Sequence, residues 1–255
     1  MKVLVVCKHS EDSDESKGCR LIKNTGFEIV YSWKDTLKPS DLEEVDIVIS
    51  IGGDGTALLA SHFLIDKPLL AVNSAPKTSE GALTTITADE LDRKLGEIKK
   101  GAFQLEKLER IEVYINDKLQ KPLALNEVFM ANRNAYLMSR YKVRVENEGR
   151  VIEEEQRSSG LIFSTGTGST AWFKSAGGEP FSAQERYIKM LVREPFLRRI
   201  SRFKTLVTMV NERGWAEIVP LTDMVLAIDS IREFLITPKD KVKIKISNRP
   251  LLRIK

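Results

Sequence analysis

Asp54 stands inside Gly52-Gly53-Asp54-Gly55-Thr56, a turn otherwise made of glycine and one threonine. Glycines leave no Cβ in the way of a ligand, and the N–H groups that open a helix form a ready anion site. An acid in such a turn has two readings. It is a turn former or N-cap, since Asp-Gly is a common turn pair and aspartate a favoured cap. Or it is a carboxylate that takes a proton from an attacking hydroxyl, or holds a metal beside a transferring phosphoryl group. Its place at the carboxyl end of an apolar strand supports the second, because open α/β sheets bind ligands there. No Gly-Lys-Ser/Thr follows, so the turn is not a Walker A loop.

Three further stretches carry chemistry. Gly160-Leu-Ile-Phe-Ser-Thr-Gly-Thr-Gly-Ser-Thr-Ala-Trp172 runs from a buried strand into a loop of glycines and hydroxyls, with free N–H groups and short donors able to grip a nucleotide. In Leu123-Ala-Leu-Asn-Glu-Val-Phe129, Asn126 and Glu127 interrupt an apolar strand and should face a ligand or each other, because unpaired polar groups there cost stability. Arg193, Arg198, Arg199, Arg202 and Lys204 gather between 191 and 204, either to offset phosphate charge or as a solvated surface. Lysines at 239, 241, 243 and 245 lie two apart and read as the wet face of a strand.

These residues need elements to hold them. Lys2–Cys7, 27–32, 45–51 and 69–73 read as strands, oily on both faces in the third and fourth. A helix spans the acidic run after Ser10 and ends near Gly26. A second follows the glycine turn, with Leu58, Phe63 and Ile65 available for burial. The third opens on Thr87-Ala-Asp-Glu90, a capping-box pattern, and shows Leu91, Leu95 and Ile98 at helical spacing. Alternating β and α implies a parallel sheet covered by helices. The fourth strand ends on Asn73 at the same edge as the Asp54 turn, so both strand ends face one crevice. Beyond Gly101 the period changes to strict alternation. The expected fold is therefore an α/β, Rossmann-like amino-terminal domain with a parallel sheet (1–101) and a mainly β, layered-sheet carboxyl-terminal domain (102–255).

Composition narrows the class. In 255 residues, 42% are hydrophobic and 30% charged, as in an ordinary soluble protein. A net charge of +4 mildly favours anionic ligands and does not point to nucleic acid. Cys7 and Cys19 read as small buried hydrophobes in a reducing compartment, and two histidines assemble no zinc site. No signal peptide or membrane span is evident, so the expected location is cytoplasmic.

Taken together, Gly52-Gly-Asp-Gly-Thr56, Asn126-Glu127, Ser164-Thr-Gly-Thr-Gly-Ser-Thr-Ala171 and Ser175-Ala-Gly-Gly178 resemble the NAD kinase family in order and spacing. Ala71–Gly81, Ser158-Ser-Gly160, Ala171-Trp172 and Arg193-Glu-Pro195 are similar to its mitochondrial-type branch. The resemblance implies an ATP-dependent, Mg²⁺-requiring phosphorylation of the adenosine 2′-hydroxyl of NAD to give NADP, in a homodimer or homotetramer whose partners are small nucleotides, neither nucleic acid nor membrane. It implies that Asp54 is the essential aspartate and that Gly52, Gly53, Gly55 and Thr56 form the phosphate turn, with Asn73 at the same edge. Asn126 and Glu127 would contact the acceptor. Thr167, Thr170, Ala171 and Ser175 would line the adenine and nicotinamide pockets. Asp229 falls where the family has Asp-Gly, here followed by Ser230, and Ser159 replaces an aspartate that holds the nicotinamide end. No residue is assigned to metal, because no carboxylate cluster makes a magnesium cage and the ion should arrive on the donor's phosphates. Two other functions compete. A lipid or small-alcohol kinase with the same glycine turn leaves the Asn-Glu and Thr-Gly-Thr-Gly-Ser-Thr motifs unexplained. A non-catalytic NAD(P) sensor gains nothing from an acid facing phosphates.

Overall fold

The computed structural model describes residues 1–8, 22, 26–79, 81–197, 203 and 205–255. The helix expected after Ser10, as well as Cys19, Arg198, Arg199, Arg202 and Lys204, lies outside the described residues. The chain forms two compact units, 1–108 with 251–255, and 109–250.

The first unit is built on one sheet. Its strands are β1 (Lys2–Cys7), β2 (Glu28–Trp33), β3 (Ile47–Gly52), β4 (Leu69–Asn73), β5 (Ile86–Thr87), β6 (Leu105–Leu108) and β19 (Leu251–Ile254), the last numbered by its place in the chain. The order is β2-β1-β3-β4-β19-β6, with β5 also paired to β4. From β2 to β4 the pairs are parallel. Every residue of β3 and β4 is buried, because the sheet is covered on both faces there. Val5, Ile49, Ile51 and Val72 pack with Leu91, Leu95 and Ile98 of helix α2 (Leu91–Lys99). The Thr87–Glu90 capping box is present ahead of α2, with Thr87 N donating to Glu90 Oε2 at 2.9 Å.

Two details differ from expectation. Helix α1 (Asp54–Ser61) buries Thr56, Ala57, Ala60 and Ser61, while Leu58 and Phe63 are half-buried and Ile65 is exposed. Small side chains at this spacing let a short helix lie close to the sheet, which pushes the larger ones to its flanks. Cys7, at the end of β1, is disulfide-bonded rather than a reduced core thiol. Burial is common to both states, so an oily strand does not tell them apart.

The second unit contains two six-stranded sheets, with antiparallel pairing throughout the strand registers. One holds β7 (Ile111–Ile115), β8 (Lys118–Leu119), β10 (Ser139–Asn147), β11 (Arg150–Ser158), β15 (Trp215–Pro220) and β18 (Val242–Ile246). The other holds β9 (Glu127–Asn132), β12 (Gly160–Ser164), β13 (Tyr187–Arg193), β14 (Val207–Asn211), β16 (Met224–Ile228) and β17 (Arg232–Ile236). Alternate residues of the strands meet in one core, Tyr141, Val143, Ile218 and Ile244 packing with Val128, Met130, Phe163 and Leu226. The outward face of the first sheet carries the even-spaced lysines. Lys241 pairs with Glu217 at 2.9 Å, Lys245 with Glu112 at 3.3 Å, and Lys243 Nζ stands 4.8 Å from the Trp215 ring centroid. β6 and the returning β19 pair with each other inside the first unit.

Candidate functional site

In the first unit, β3 ends on Gly52 and the chain turns at once into α1. A Cβ on Gly52 would lie 2.4 Å from Thr56 Oγ1, so the buried threonine fills the space under the turn. Gly53 is the N-cap, with no side chain to serve as one. Asp54 therefore does not cap the helix. Its carboxylate turns to the loop after β4, Oδ1 accepting the N–H of Leu83 at 2.8 Å and Oδ2 that of Ala82 at 3.0 Å. A carboxylate offers about four lone-pair sites, so roughly half remain for a ligand.

The same loop is tied down by Asn73, which is 5% exposed. Its Oδ1 accepts from Ala75 N at 3.0 Å, and Ser74 N donates to Gly52 O at 3.0 Å. Gly81 sits at φ +71, where an added Cβ would be 2.8 Å from Asn73 Nδ2. Asn73 thus shapes the edge of the turn. No sequence motif marks Lys34. A Cβ on Gly55 would lie 3.7 Å from its ammonium, which places a cation beside the glycine turn. A lysine just beyond a second strand's carboxyl end is the signal that finds it.

In the second unit, β9 and β12 run antiparallel with Glu127 opposite Ser164. The hydroxyl loop after β12 is stitched to the segment before β9. Thr165 Oγ1 donates to Leu125 O at 2.6 Å, Thr165 N donates to Asn126 O at 3.0 Å, and Gly168 N donates to Thr165 Oγ1 at 3.0 Å. Ser169 donates to Gly166 O at 2.7 Å. Those hydroxyls hold the loop, leaving others for a ligand. Thr167 Oγ1 is buried without a partner, and no hydrogen bond is formed by the Asn126 side-chain amide among the described residues. Thr170, Ala171 and Ser175 are exposed, in and beside the short helix α3 (Trp172–Ser175).

Glu127 is 5% exposed and its Oε2 has no hydrogen-bond partner. Burial first, and the charge of Asp229 second, push its carboxyl up to about 7, while a bond from the Ser230 hydroxyl pulls the other way. The folded state then binds a proton that the unfolded chain releases between the ordinary glutamate value and about 7. Stability from this group is full below that window and is lost as pH rises through it. Glu127→Gln is accordingly expected to be more stable than the parent at pH 8, by on the order of 2 kcal/mol, and equal to it near pH 4. Thermal melts at both pH values check this, and a Gln variant that melts lower at pH 8 contradicts it.

Asp229 follows β16 at φ +50, with Ser230 at φ +55, in the left-handed region that glycine would enter freely. It is 2% exposed, and its carboxylate accepts the N–H groups of Leu125, Asn126 and Glu127 at 2.8, 2.8 and 3.0 Å. Ser159 lies elsewhere, half-buried in a cavity of about 660 Å³ lined also by Phe129, Asn132, Arg133, Arg193 and Phe234. The Arg193 guanidinium stands 5.6 and 5.7 Å from the Phe129 and Trp172 ring centroids. Of the expected basic cluster, Arg193 thus lines the Ser159 cavity, together with Arg133. The geometry gathers Asn126, Glu127, Thr167 and Asp229 around one strand entry and sets Ser159 with Arg193.

A glycine turn opening a helix on a parallel sheet, joined to a unit of two antiparallel sheets with a hydroxyl loop, defines a class of nucleotide-binding phosphotransferase architecture. Residues 4–103 match the ATP-NAD kinase N-terminal domain, and 125–255 match the ATP-NAD kinase C-terminal domain. The chain belongs to the NAD kinase family. It is 34% identical over 166 residues to the NAD kinase of Methanothermobacter thermautotrophicus, covering 61% of this chain and 56% of that relative's length. Identity to the NAD kinase of Pyrococcus furiosus is 30% over 220 residues, 82% of this chain and 76% of the relative. The crystal structure of an NAD kinase from Archaeoglobus fulgidus in complex with ATP has the same fold, with a TM-score of 0.80 at 23% identity over 100% of this chain and 94% of that one. Among the described residues, no helix is long and apolar enough to cross a membrane.

Proposed function

We propose that this chain phosphorylates the adenosine 2′-hydroxyl of NAD with ATP, giving NADP and ADP. The observation that carries the reading is Asp54, oriented by two backbone N–H groups in a glycine turn and with lone pairs to spare. Asp54 takes the hydroxyl proton. The freed oxygen forms a bond to the γ-phosphorus, the bond from that phosphorus to its bridging oxygen breaks, and ADP leaves with the electron pair. N–H groups of the turn and the Lys34 ammonium offset charge spreading over the transferred phosphoryl. Residues 1–101 carry the phosphate turn and proton acceptor in this proposal, and 102–255 carry the dinucleotide grip through Asn126, Glu127, Thr167, Thr170, Ala171 and Ser175.

Among the described residues there is no group of three or more His, Cys, Asp or Glu that could hold a metal ion. The proposed Mg²⁺ comes with the donor's phosphates, whose charge it neutralises. Chelation is then expected to abolish turnover while leaving NAD affinity within about twofold, measured by calorimetry. An equal loss of NAD affinity on adding chelator contradicts it.

Ser159 is proposed to hydrogen-bond the nicotinamide end. Ser159→Ala should raise the apparent NAD constant about fivefold, as for one neutral hydrogen bond, with little change in rate at saturation. A collapse of that rate in a folded variant assigns the serine another role. The mitochondrial-type likeness, a homodimeric or homotetrameric state and a cytoplasmic location complete the proposal. The last no longer draws on two reduced thiols, given the Cys7 disulfide.

The test of the function is direct. Purified protein with NAD, ATP and Mg²⁺ should form NADP. The same assay with other triphosphates, polyphosphate, NADH and a diacylglycerol defines donor and acceptor. Binding of NAD without turnover under every donor, or phosphorylation of the lipid alone, overturns it.

A further inference from the structure

Asp229 has the chemistry of a ligand contact and the placement of a fastener. Three consecutive N–H groups, of Leu125, Asn126 and Glu127, converge on its one carboxylate. A reciprocal bond from Asp229 N to Glu127 O, 2.9 Å long, closes the pairing. Three such bonds to one anion are stronger than ordinary amide pairs and fix both the position and the tilt of the backbone that makes them. That backbone ends where β9 begins, so Asp229 does at Leu125 and Asn126 what a neighbouring strand does further along. Two non-glycine residues in the left-handed region, Asp229 and Ser230, cost free energy and persist only where the surroundings over-determine them.

We propose that Asp229 is a positioning residue for dinucleotide binding: without touching the ligand, it holds residues 125–127 so that the Asn126 amide and the Glu127 carboxylate are presented together. This rests on the reading of Asn126 and Glu127 as acceptor contacts. Asp229 is 2% exposed, and its oxygens are occupied by protein donors, which leaves Asn126 and Glu127 as the groups with capacity for a ligand. The charges around the fastener are the Arg110 guanidinium, buried and held down to about 10 by burial and by Arg249, and the Glu127 carboxyl. Asp229 raises Arg110 and Glu127 alike, so its charge adds to the effect of burial on the pH at which Glu127 ionises.

The experiment is Asp229→Asn, a change that keeps shape but places an amide NH₂ against one of the three N–H donors. Amide hydrogen exchange at Leu125, Asn126 and Glu127, NAD affinity against pH, and turnover are read on one preparation with its thermal melt. Exchange at the three amides should speed up and NAD affinity fall roughly tenfold, with the rate at saturation within about threefold. The pH at which NAD affinity changes should also move below that of the parent. Parental exchange, or parental affinity with an unmoved pH profile in a variant that folds, overturns the proposal. If Asp229→Asn does not fold, the parent carries the test: the three amides must exchange slowly when free and stay slow with NAD bound, and faster exchange on NAD binding overturns it. A parent that forms no NADP defeats the proposed reaction, while the exchange measurement on free protein still reports whether Asp229 fastens these amides.

Discussion

Asp54→Asn is expected to slow NADP formation by a factor on the order of 10²–10⁴, the usual loss on removing a positioned proton acceptor. If the side chain were a helix cap, asparagine would replace it with no loss, since both residues cap well. The structure makes a different forecast for stability too. The aspartate oxygens each accept an N–H, from Leu83 and Ala82. An asparagine can accept one of them and must turn its NH₂ toward the other, which costs about 1 kcal/mol at this half-exposed position. The variant should therefore melt a few degrees below the parent while still binding NAD. A thermal melt and a rate measurement on the same preparation decide the matter. A comparable rate in a folded Asp54→Asn protein shows that the proposed base is not the base.

Gly168→Ala should do more damage to the fold than any change at the Asp54 turn. The added Cβ would lie 2.2 Å from Asn126 O, 2.4 Å from its C and 2.6 Å from its Cα. Those are backbone atoms held by Thr165 and Asp229, so they cannot swing aside as a side-chain tip would. Overpacking of this kind costs about 3 kcal/mol or more. Because the displaced atoms belong to Asn126, NAD affinity in the folded fraction should also fall more than tenfold by the usual affinity arithmetic. Gly96→Ala is the control, as a Cβ there meets nothing within 4 Å. Chemical denaturation and NAD titration of the two variants side by side test this. A Gly168→Ala protein as stable as the parent would mean that the hydroxyl loop and the strand entry are not in the contact described.

What was legible in the residues was local. The run into Gly52 and the oily Leu69–Asn73 marked strands because burial on both faces removes alternation. The Thr87–Glu90 box marked the start of a helix because its two polar side chains have little other reason for that spacing. The hydroxyl loop after Ser164 was equally plain. What was not legible depends on residues far apart in the chain. Nothing near Asp54 shows that Ala82 and Leu83 will meet its carboxylate, and nothing near Asp229 points back about a hundred residues to Leu125–Glu127. Those contacts are made by backbone N–H groups, which every non-proline residue carries and no side-chain pattern advertises. Cys7 fails for a related reason, its bond being invisible in the strand that holds it.

The strand order of the first unit bears on how the chain is made. β19 lies between β4 and β6, and its Leu251 pairs with Leu108 across the whole length of the second unit. On the ribosome, β1 to β6 emerge first, yet the slot between β4 and β6 stays open until residues 251–254 have been translated. In that interval β5 covers β4 only at Val72 and Asn73, and the start of the oily strand at Leu69 lacks its partner, the kind of edge on which nascent chains stick to one another. The second unit, complete in itself from 109 to 250, is free to fold while the first waits. Synthesis thus reverses the order of the sequence: the later unit can close before the earlier one, and a stalled or shortened chain loses the strand that joins β6 to the rest of the α/β sheet.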